Sequence, residues 1–379
     1  MKKIAIIGAS SFQKPLIEKA KEKGFETHVF AWATDDVGEK IADYFYPISI
    51  TEKEKILEEC KRIGIDSICT IGSDLGTIAV NYVANNLGLN CNTMECTKLS
   101  TNKHEMRLAF ERNNVPSPKS FLVNSCNDLD NVTLIYPLIV KPTDRSGSRG
   151  INKVNNSSEL KVAINKAIDL SFEKKALVEE FVSGEEYSVE CISFHGNHNL
   201  LAMTKKYTTG APHFVETGHM EPAIKTNFDY DDVRSIVFNA LDSLKISNGA
   251  SHTELKISED GSIKIIEIGA RMGGDFIGSH LVRLSKGIDF VAAVIDVSLN
   301  IKPNVKSCLD YVSYVHFIID KTDLELLEMI KNNYANNLVC YEIEKINDDE
   351  ITESSKRHGY FILCTKNIRK LEMILGKRM

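Results

Sequence analysis

The sequence predicts an α/β protein of several structural units, and three observations carry that prediction. Over residues 1–98, apolar runs of strand length alternate with helical segments, which implies a parallel sheet with crossover helices. Between residues 176 and 275 the strand-like runs instead turn back on one another through short Gly-containing turns. The chain has 379 residues, too many for one small core, so two to four units are expected.

The elements follow in order. Lys3–Ile7 is an apolar strand, Phe12–Lys23 a helix ending at Gly24, and Thr27–Trp32 the next strand. Ile41–Ile50 adds a short element, Glu52–Ile63 a helix, Asp66–Ile71 a strand, and Leu75–Asn86 a helix ending at Gly88. The turn after the first strand, GASSFQ, lacks the GxGxxG spacing of dinucleotide folds. Gly72-Ser73-Asp74 lies at a strand's carboxyl end, where such sheets place ligands. Asp74 therefore either caps the next helix or faces a substrate.

Ser100–Asn113 reads as a helix carrying Lys103, stopped by Asn114, Pro116 and Pro118. Pro137–Lys141 is a buried strand that ends in Lys141. The loop after it, residues 144–150, holds Ser146, Gly147 and Ser148 between two arginines. Backbone N–H groups and guanidinium donors in such a loop suit a phosphate cradle, although it is not a Walker loop. Ala176–Val182 is a strand whose Glu179, Glu180, Phe181 and Val182 could border a flat ring. Glu186–Phe194 and Leu200–Tyr207 form the next pair of strands. Thr208–Lys225 reads as a long structureless loop with His213 and His219 as candidate substrate contacts, and Asp231–Leu244 as a helix.

The stretch His252–Asp275 is the most informative. Asp260-Gly261 signals a two-residue turn. With those two as the turn, Glu259 faces Ser262 and Glu254 lies across from Glu267. Cross-strand Cβ atoms are ~4.5–5.5 Å apart, so two opposed carboxylates need a positive partner. A hard cation such as Mg²⁺ suits them; the alternative is a solvated face whose carboxylates pair with Lys256 or Lys264. Arg271 follows on the parity of Glu267, and Gly273-Gly274 lets backbone approach a ligand.

Ser279–Leu284 and Asp289–Leu299 read as helices, the second apolar enough to serve a homodimer, and Pro303 marks a boundary. Residues 305–379 carry strands at Val312–Ile319, Leu338–Ile346 and Tyr360–Thr365, with helices near Asp323–Asn332 and Lys370–Leu375. Net charge is −6 with no long basic run, which argues against a nucleic-acid or membrane-surface protein. No stretch approaches the ~20 apolar residues of a membrane span. Nine scattered cysteines without CxxC suggest reduced thiols in a cytoplasm.

The order of these features resembles the ATP-grasp superfamily. The resemblance rests on Lys103, Lys141, the 144–150 loop, the strand VEEFV at 178–182, Glu186, Glu254, Glu267 and Arg271. It implies a Rossmann-like pre-ATP-grasp domain over 1–98 and a two-lobed ATP-grasp α+β fold over 99–303, with a lid lobe at about 115–182. A small C-terminal α/β domain would cover 304–379. It further implies ATP and Mg²⁺ (or Mn²⁺) as cofactors. Lys103 and Lys141 would contact phosphates, Lys141 also lying near the adenine. The loop would fold over the β- and γ-phosphates. Backbone at Glu180 and Val182, with the Glu179 carbonyl or side chain, would read the adenine edge, and Glu186 the ribose. Glu254 and Glu267 would hold the metal, and Arg271 would stabilise the transferred phosphoryl group. Arg271, Gly273-Gly274, His219 and Asp74 would border the substrates. One departure stands out: where many members place an Asn metal ligand, this chain has Gly269. The resemblance implies a carboxylate–amine ligase working through an acyl phosphate, on small-molecule substrates. The alternatives are phosphorylation of bicarbonate or formate, and a nucleotide-binding protein that does not turn over.

Overall fold

The computed structural model describes the whole chain except Ser146, Ser148 and residues 211–213, 225–226, 345–350 and 377–379. The expectations for Ser146, Ser148 and His213 therefore lie outside the described residues. The fold is mixed α/β, built on three sheets among the described residues.

The first sheet is parallel, with β1 (Lys3–Ile7), β2 (Glu26–Phe30), β3 (Tyr44–Tyr46) and β4 (Ser67–Cys69) in the order β3-β2-β1-β4. Ile4, Ala5, Ile6 and Ile7 are all buried because helices cover both faces of β1, as the continuous apolar run requires. The loops leaving β1 and β4, around Phe12 and Gly72–Asp74, project from the carboxyl ends of these strands.

The second sheet is antiparallel: β5 (Ser120–Val123), β6 (Leu138–Pro142), β7 (Asn152–Val154) and β8 (Ala176–Glu180), ordered β5-β8-β6-β7 and backed by the helix Ser157–Leu170. The expected single helix at Ser100–Asn113 is two, Met94–Thr101 and Lys103–Arg112. Asn102 caps the second through its side chain, so Lys103 sits in its first turn.

The third sheet has eight strands. They are β9 (Glu185–Phe194), β10 (Asn197–Thr208), β11 (Glu216–Glu221), β12 (Gly249–Ile257), β13 (Ile263–Gly269), β14 (Val312–Phe317), β15 (Leu338–Ile343) and β16 (Gly359–Thr365). Their order is β13-β12-β9-β10-β11-β14-β16-β15, so the C-terminal strands extend the same sheet instead of forming their own. β11 corrects the expectation of a structureless loop over Thr208–Lys225: it pairs with β10 on one side and β14 on the other. Its sequence, ETGHME, lacks an apolar period, yet Gly218–Glu221 are buried. The buried polar groups have partners inside, since the Glu221 carboxyl accepts from the Thr204 and Ser285 hydroxyls.

The helix Phe290–Ser298, expected as a dimer contact, is spent within the molecule. Phe290, Val291, Ala293, Val294 and Ile295 are buried in one core with Leu16, Ile17 and Ala20 of the first unit.

Glu254 does pair with Glu267, but through a different route. Below the pair, Leu255 opposes Ile265 and Ile257 opposes Ile263. Ser258 accepts and donates at the turn: its N–H bonds the Ser262 carbonyl at 3.0 Å, and its carbonyl accepts from Gly261 at 2.9 Å. The turn is thus the three residues Glu259, Asp260 and Gly261, with Gly261 at φ 82°. A bulge at Ile266 then supplies the missing residue. Without it, Glu267 would share the parity of Ile263 and Ile265, which face the core. The bulge returns Ile268 to the core and turns Glu267 to the opposite face.

Candidate active site

The carboxyl ends of the first sheet, the 144–150 loop and the β12–β13 hairpin enclose a cleft of about 480 Å³. Lys103, Lys141, Glu254, Glu267, Arg271 and Asp74 all line it. The opposed carboxylates take lysine partners, though not those of the hairpin itself. Lys206 Nζ lies 2.8 Å from Glu254, and Lys103 Nζ 2.6 Å from Glu267. Burial would raise the Glu254 carboxyl, but Lys206 and His252 hold it well below the usual carboxylate range. Lys264, considered as a partner, pairs with Glu180 instead. Among the described residues no cluster of three or more His, Cys, Asp or Glu could hold a metal ion. Two carboxylates, each balanced by a buried lysine ammonium, fit a Mg²⁺ that would complete its shell with phosphate oxygens and water.

Lys103 Nζ also donates to the Arg145 carbonyl at 2.7 Å, which ties Arg145 to Glu267 through this lysine. Lys141 is buried, and its ammonium lies 2.6 Å from Glu179. Arg107 Nε reaches the other oxygen of Glu179 at 2.7 Å, and its Nη2 donates to the carbonyl of the bulged Ile266. Burial lowers Lys141 from its ordinary value despite the attraction of Glu179. The Glu179 carboxylate is thus engaged by two cations and holds Lys141, which leaves its carbonyl as the group expected at the adenine edge. The Glu180 N–H likewise donates to the Lys119 carbonyl at 3.0 Å, so it is not offered to a ligand. Phe181 lies under Lys153 and Lys256, at 3.9 and 5.4 Å from its ring, and Val182 is buried. Glu186 is 3.1 Å from Lys206, which places it one lysine away from Glu254.

Arg271 pairs with Asp74 through Nε at 2.9 Å and Nη2 at 3.3 Å, while its Nη1 is buried with no hydrogen-bond partner among the described residues. Asp74 is therefore not the helix cap, which is Ser73, and its carboxylate is engaged by Arg271 at the edge of the cleft. Gly269 has a reason here. A Cβ at that position would stand 3.0 Å from both Arg271 Cζ and Asp74 Oδ1. The residue missing as a metal ligand makes room for this ion pair.

Gly273 donates its N–H to the buried Glu190 at 3.1 Å, and Glu190 also holds His252 Nδ1. His252 Nε2 lies 3.5 Å from Glu254. Burial opposes a charge on His252, yet Glu190 holds its imidazole up at about 9. A Cβ on Gly273 would meet His252 Nδ1 at 2.7 Å, so only glycine fits. Gly274 lies beneath Phe12. His219 is on β11 and 1% exposed, not on an open loop. Its ring packs edge-on against Phe317, and its Nε2 is 3.9 Å from Asp275.

A second chamber of about 490 Å³ adjoins the first, sharing the wall made by Phe12, Gly72, Gly274, Asp275 and Arg357. Asp275 is held by Arg357, whose Nη1 and Nη2 lie 2.9 and 2.8 Å from its two oxygens. Burial would raise that carboxyl, but His219 and Arg357 hold it far below its ordinary value. Sequence reasoning missed Arg107, Glu190, Lys206, His252, Asp275 and Arg357. Each is a single charged or polar residue within an ordinary helix, strand or loop. A local signal existed only for Glu190 and Lys206, which are charged positions in strands otherwise rich in buried residues.

The family model of the ATP-grasp domain matches residues 134–279. The alanine–anticapsin ligase of Bacillus subtilis is 27% identical over 301 residues, covering 69% of this chain and 62% of that protein. The chain thus spans about three-fifths of the length of such curated relatives. The structure resembles the L-amino acid ligase of Bacillus licheniformis with a TM-score of 0.83, at 21% identity over 98% of this chain and 95% of that one. It also resembles the ADP-bound N5-carboxyaminoimidazole synthetase of Staphylococcus aureus, with a TM-score of 0.79 at 15% identity over 98% and 95% of the two chains. Residues 134–279 thus match the ATP-grasp domain, and the chain along its length has the fold of these solved structures.

Proposed function

We propose that the protein is an ATP-dependent ligase that joins a carboxylate to an amine through an acyl phosphate, releasing ADP and phosphate. One observation carries the reading above all. A cleft that gathers two lysine-balanced carboxylates ends on Arg271, whose Nη1 is buried and unpartnered. An unsatisfied buried donor on a cation is costly unless a ligand completes it.

Phosphoryl transfer needs positioning and neutralisation more than covalent help from the protein. Glu254 and Glu267 would hold Mg²⁺, which neutralises charge on the phosphates. Lys103 and Lys206 are then released from those carboxylates. Lys103 is placed to follow the phosphates, and Lys141, braced by Glu179, to meet them from the lid. The carboxylate oxygen attacks the γ-phosphorus, and ADP leaves with the electrons of the broken P–O bond. The amine then attacks the acyl carbon and expels phosphate. Arg271, fixed by Asp74, steadies the oxygens that carry charge in both steps. The 144–150 loop shields an intermediate that water would otherwise hydrolyse. The similarity to an alanine–anticapsin ligase supports small amino-acid-like substrates. All nine cysteines are unpaired, which supports a reducing, cytoplasmic setting; no helix among the described residues is long and apolar enough to cross a membrane.

The test is a panel of amino acids and other carboxylates with MgATP, using hydroxylamine as acceptor. Hydroxamate with matching ADP is the expected product. ADP-free turnover, or no product with any carboxylate, would refute the reading.

A further inference from the structure

The turn after Gly273-Gly274 is strained, and the side chains that hold it come from the other end of the chain. Asp275 and Phe276 are consecutive non-glycine residues in the left-handed region, at φ 48° and 67°. Such residues persist only where the surroundings over-determine them. Asp275 receives two guanidinium hydrogen bonds from Arg357. The Phe276 ring packs on Tyr360 with centroids 4.0 Å apart. Arg357 is itself immobilised: its face lies 3.7 Å over Phe317, and its Nε donates to the Ser354 carbonyl at 2.8 Å. Its Nε and one N–H of each Nη are thus taken by the protein, and the paired Nη bonds hold Asp275.

We propose that Arg357 is a positioning residue, which fixes the Gly273–Phe276 turn through Asp275 and so shapes the seat of the second substrate on the wall between the two cavities. This rests on the ligase reading for what occupies the seat, but not for the clamp itself. Among the described residues, the groups proposed for the nucleotide, Lys103, Lys141, Glu254 and Glu267, make no direct bond to Asp275, Phe276 or Arg357, and Glu254 reaches only the Gly273 end of the turn, through His252 and Glu190. The C-terminal unit thereby completes the site, although it carries no group of the phosphate-binding set.

The experiment compares the full-length parent with Arg357→Ala and with Asp275→Asn, which keeps the size of the side chain. The first readout is hydrogen exchange at residues 272–277. Both variants should exchange there about ten-fold faster, while the strands at 312–317 and 359–365 keep their protection and ADP affinity stays unchanged. The second readout is hydroxamate formation from L-alanine and hydroxylamine: KM for hydroxylamine should rise while KM for ATP does not. Unchanged exchange at 272–277 in both variants would overturn the proposal. So would loosening that spreads over the C-terminal strands, which would make Arg357 a general stabiliser. Equal rises in both KM values would do the same. If the parent forms no hydroxamate from any carboxylate, the ligase reading falls, and the exchange measurement still decides the clamp.

Discussion

Gly269→Ala places one methyl group where the structure has least room for it. The new Cβ would stand 3.0 Å from Arg271 Cζ, 3.2 Å from its Nε and 3.0 Å from Asp74 Oδ1. Carbon atoms rest ~3.5–4.0 Å apart, so the guanidinium must retreat by about 0.5–1 Å. The Nη2 bond to Asp74, already 3.3 Å long, does not survive that retreat, and the Nε bond at 2.9 Å is strained. Displacements of about 1 Å in a reacting group can cost ~10²-fold in rate, and a charged hydrogen bond is worth ~1.5–3 kcal/mol. We therefore expect kcat to fall by about 10–10²-fold, a loss of transition-state stabilisation, with KM for ATP nearly unchanged. Coupled ADP release at saturating substrates measures it. Unchanged kcat in Gly269→Ala would refute the argument that Gly269 exists to seat the Arg271–Asp74 pair. A rise in KM for ATP alone would show that the glycine serves the nucleotide instead.

Glu267→Gln should keep the fold and lose turnover by ~10² or more, because the proposed cation would lose one of its two carboxylates; circular dichroism and ADP release together check it, and near-parental turnover would dismiss Glu267 as a ligand. Amides of Arg145, Gly147 and Arg149 should gain protection from hydrogen exchange when MgATP binds, and unchanged exchange would remove the loop from the phosphate site. Burial pushes the Glu221 carboxyl up to about 8. A carboxyl raised in the fold stabilises it fully below the unfolded value, ~4.3, and loses that contribution as pH climbs toward the folded value, at up to about 1.4 kcal/mol per unit. Urea midpoints should therefore show Glu221→Gln gaining on the parent between pH 5 and 8, and parallel curves would contradict the buried neutral carboxyl.

The sequence made the parallel first sheet legible because helices bury β1 on both faces and leave an uninterrupted apolar run. It made Glu254 and Glu267 legible as a pair, but two departures cancelled to do so. The turn has three residues where Asp260-Gly261 suggested two, and the bulge at Ile266 restores the register. Nothing in IKIIEIG announces a bulge, since Ile265 and Ile266 are alike until the carbonyl of one finds Arg107. β11 was hidden because Glu221 and His219 are polar yet buried, and their partners, Ser285, Thr204 and Asp275, are distant in sequence. The partners of the Glu179 side chain were hidden for the same reason. An acidic pair on a strand end looks like a rim, and only the fold shows Lys141 and Arg107 closing on it. Lys206, Glu190 and His252 complete the site through pairing across β9, β10 and β12, a relation that periodicity within one strand does not carry.

The central claim is that a carboxylate oxygen attacks the γ-phosphorus of ATP. It is tested most directly with a carboxylate substrate labelled with ¹⁸O, followed by mass analysis of the products. The account predicts one labelled oxygen in inorganic phosphate and unlabelled ADP. Label in AMP, with pyrophosphate released, would mean attack at the α-phosphorus and would contradict it.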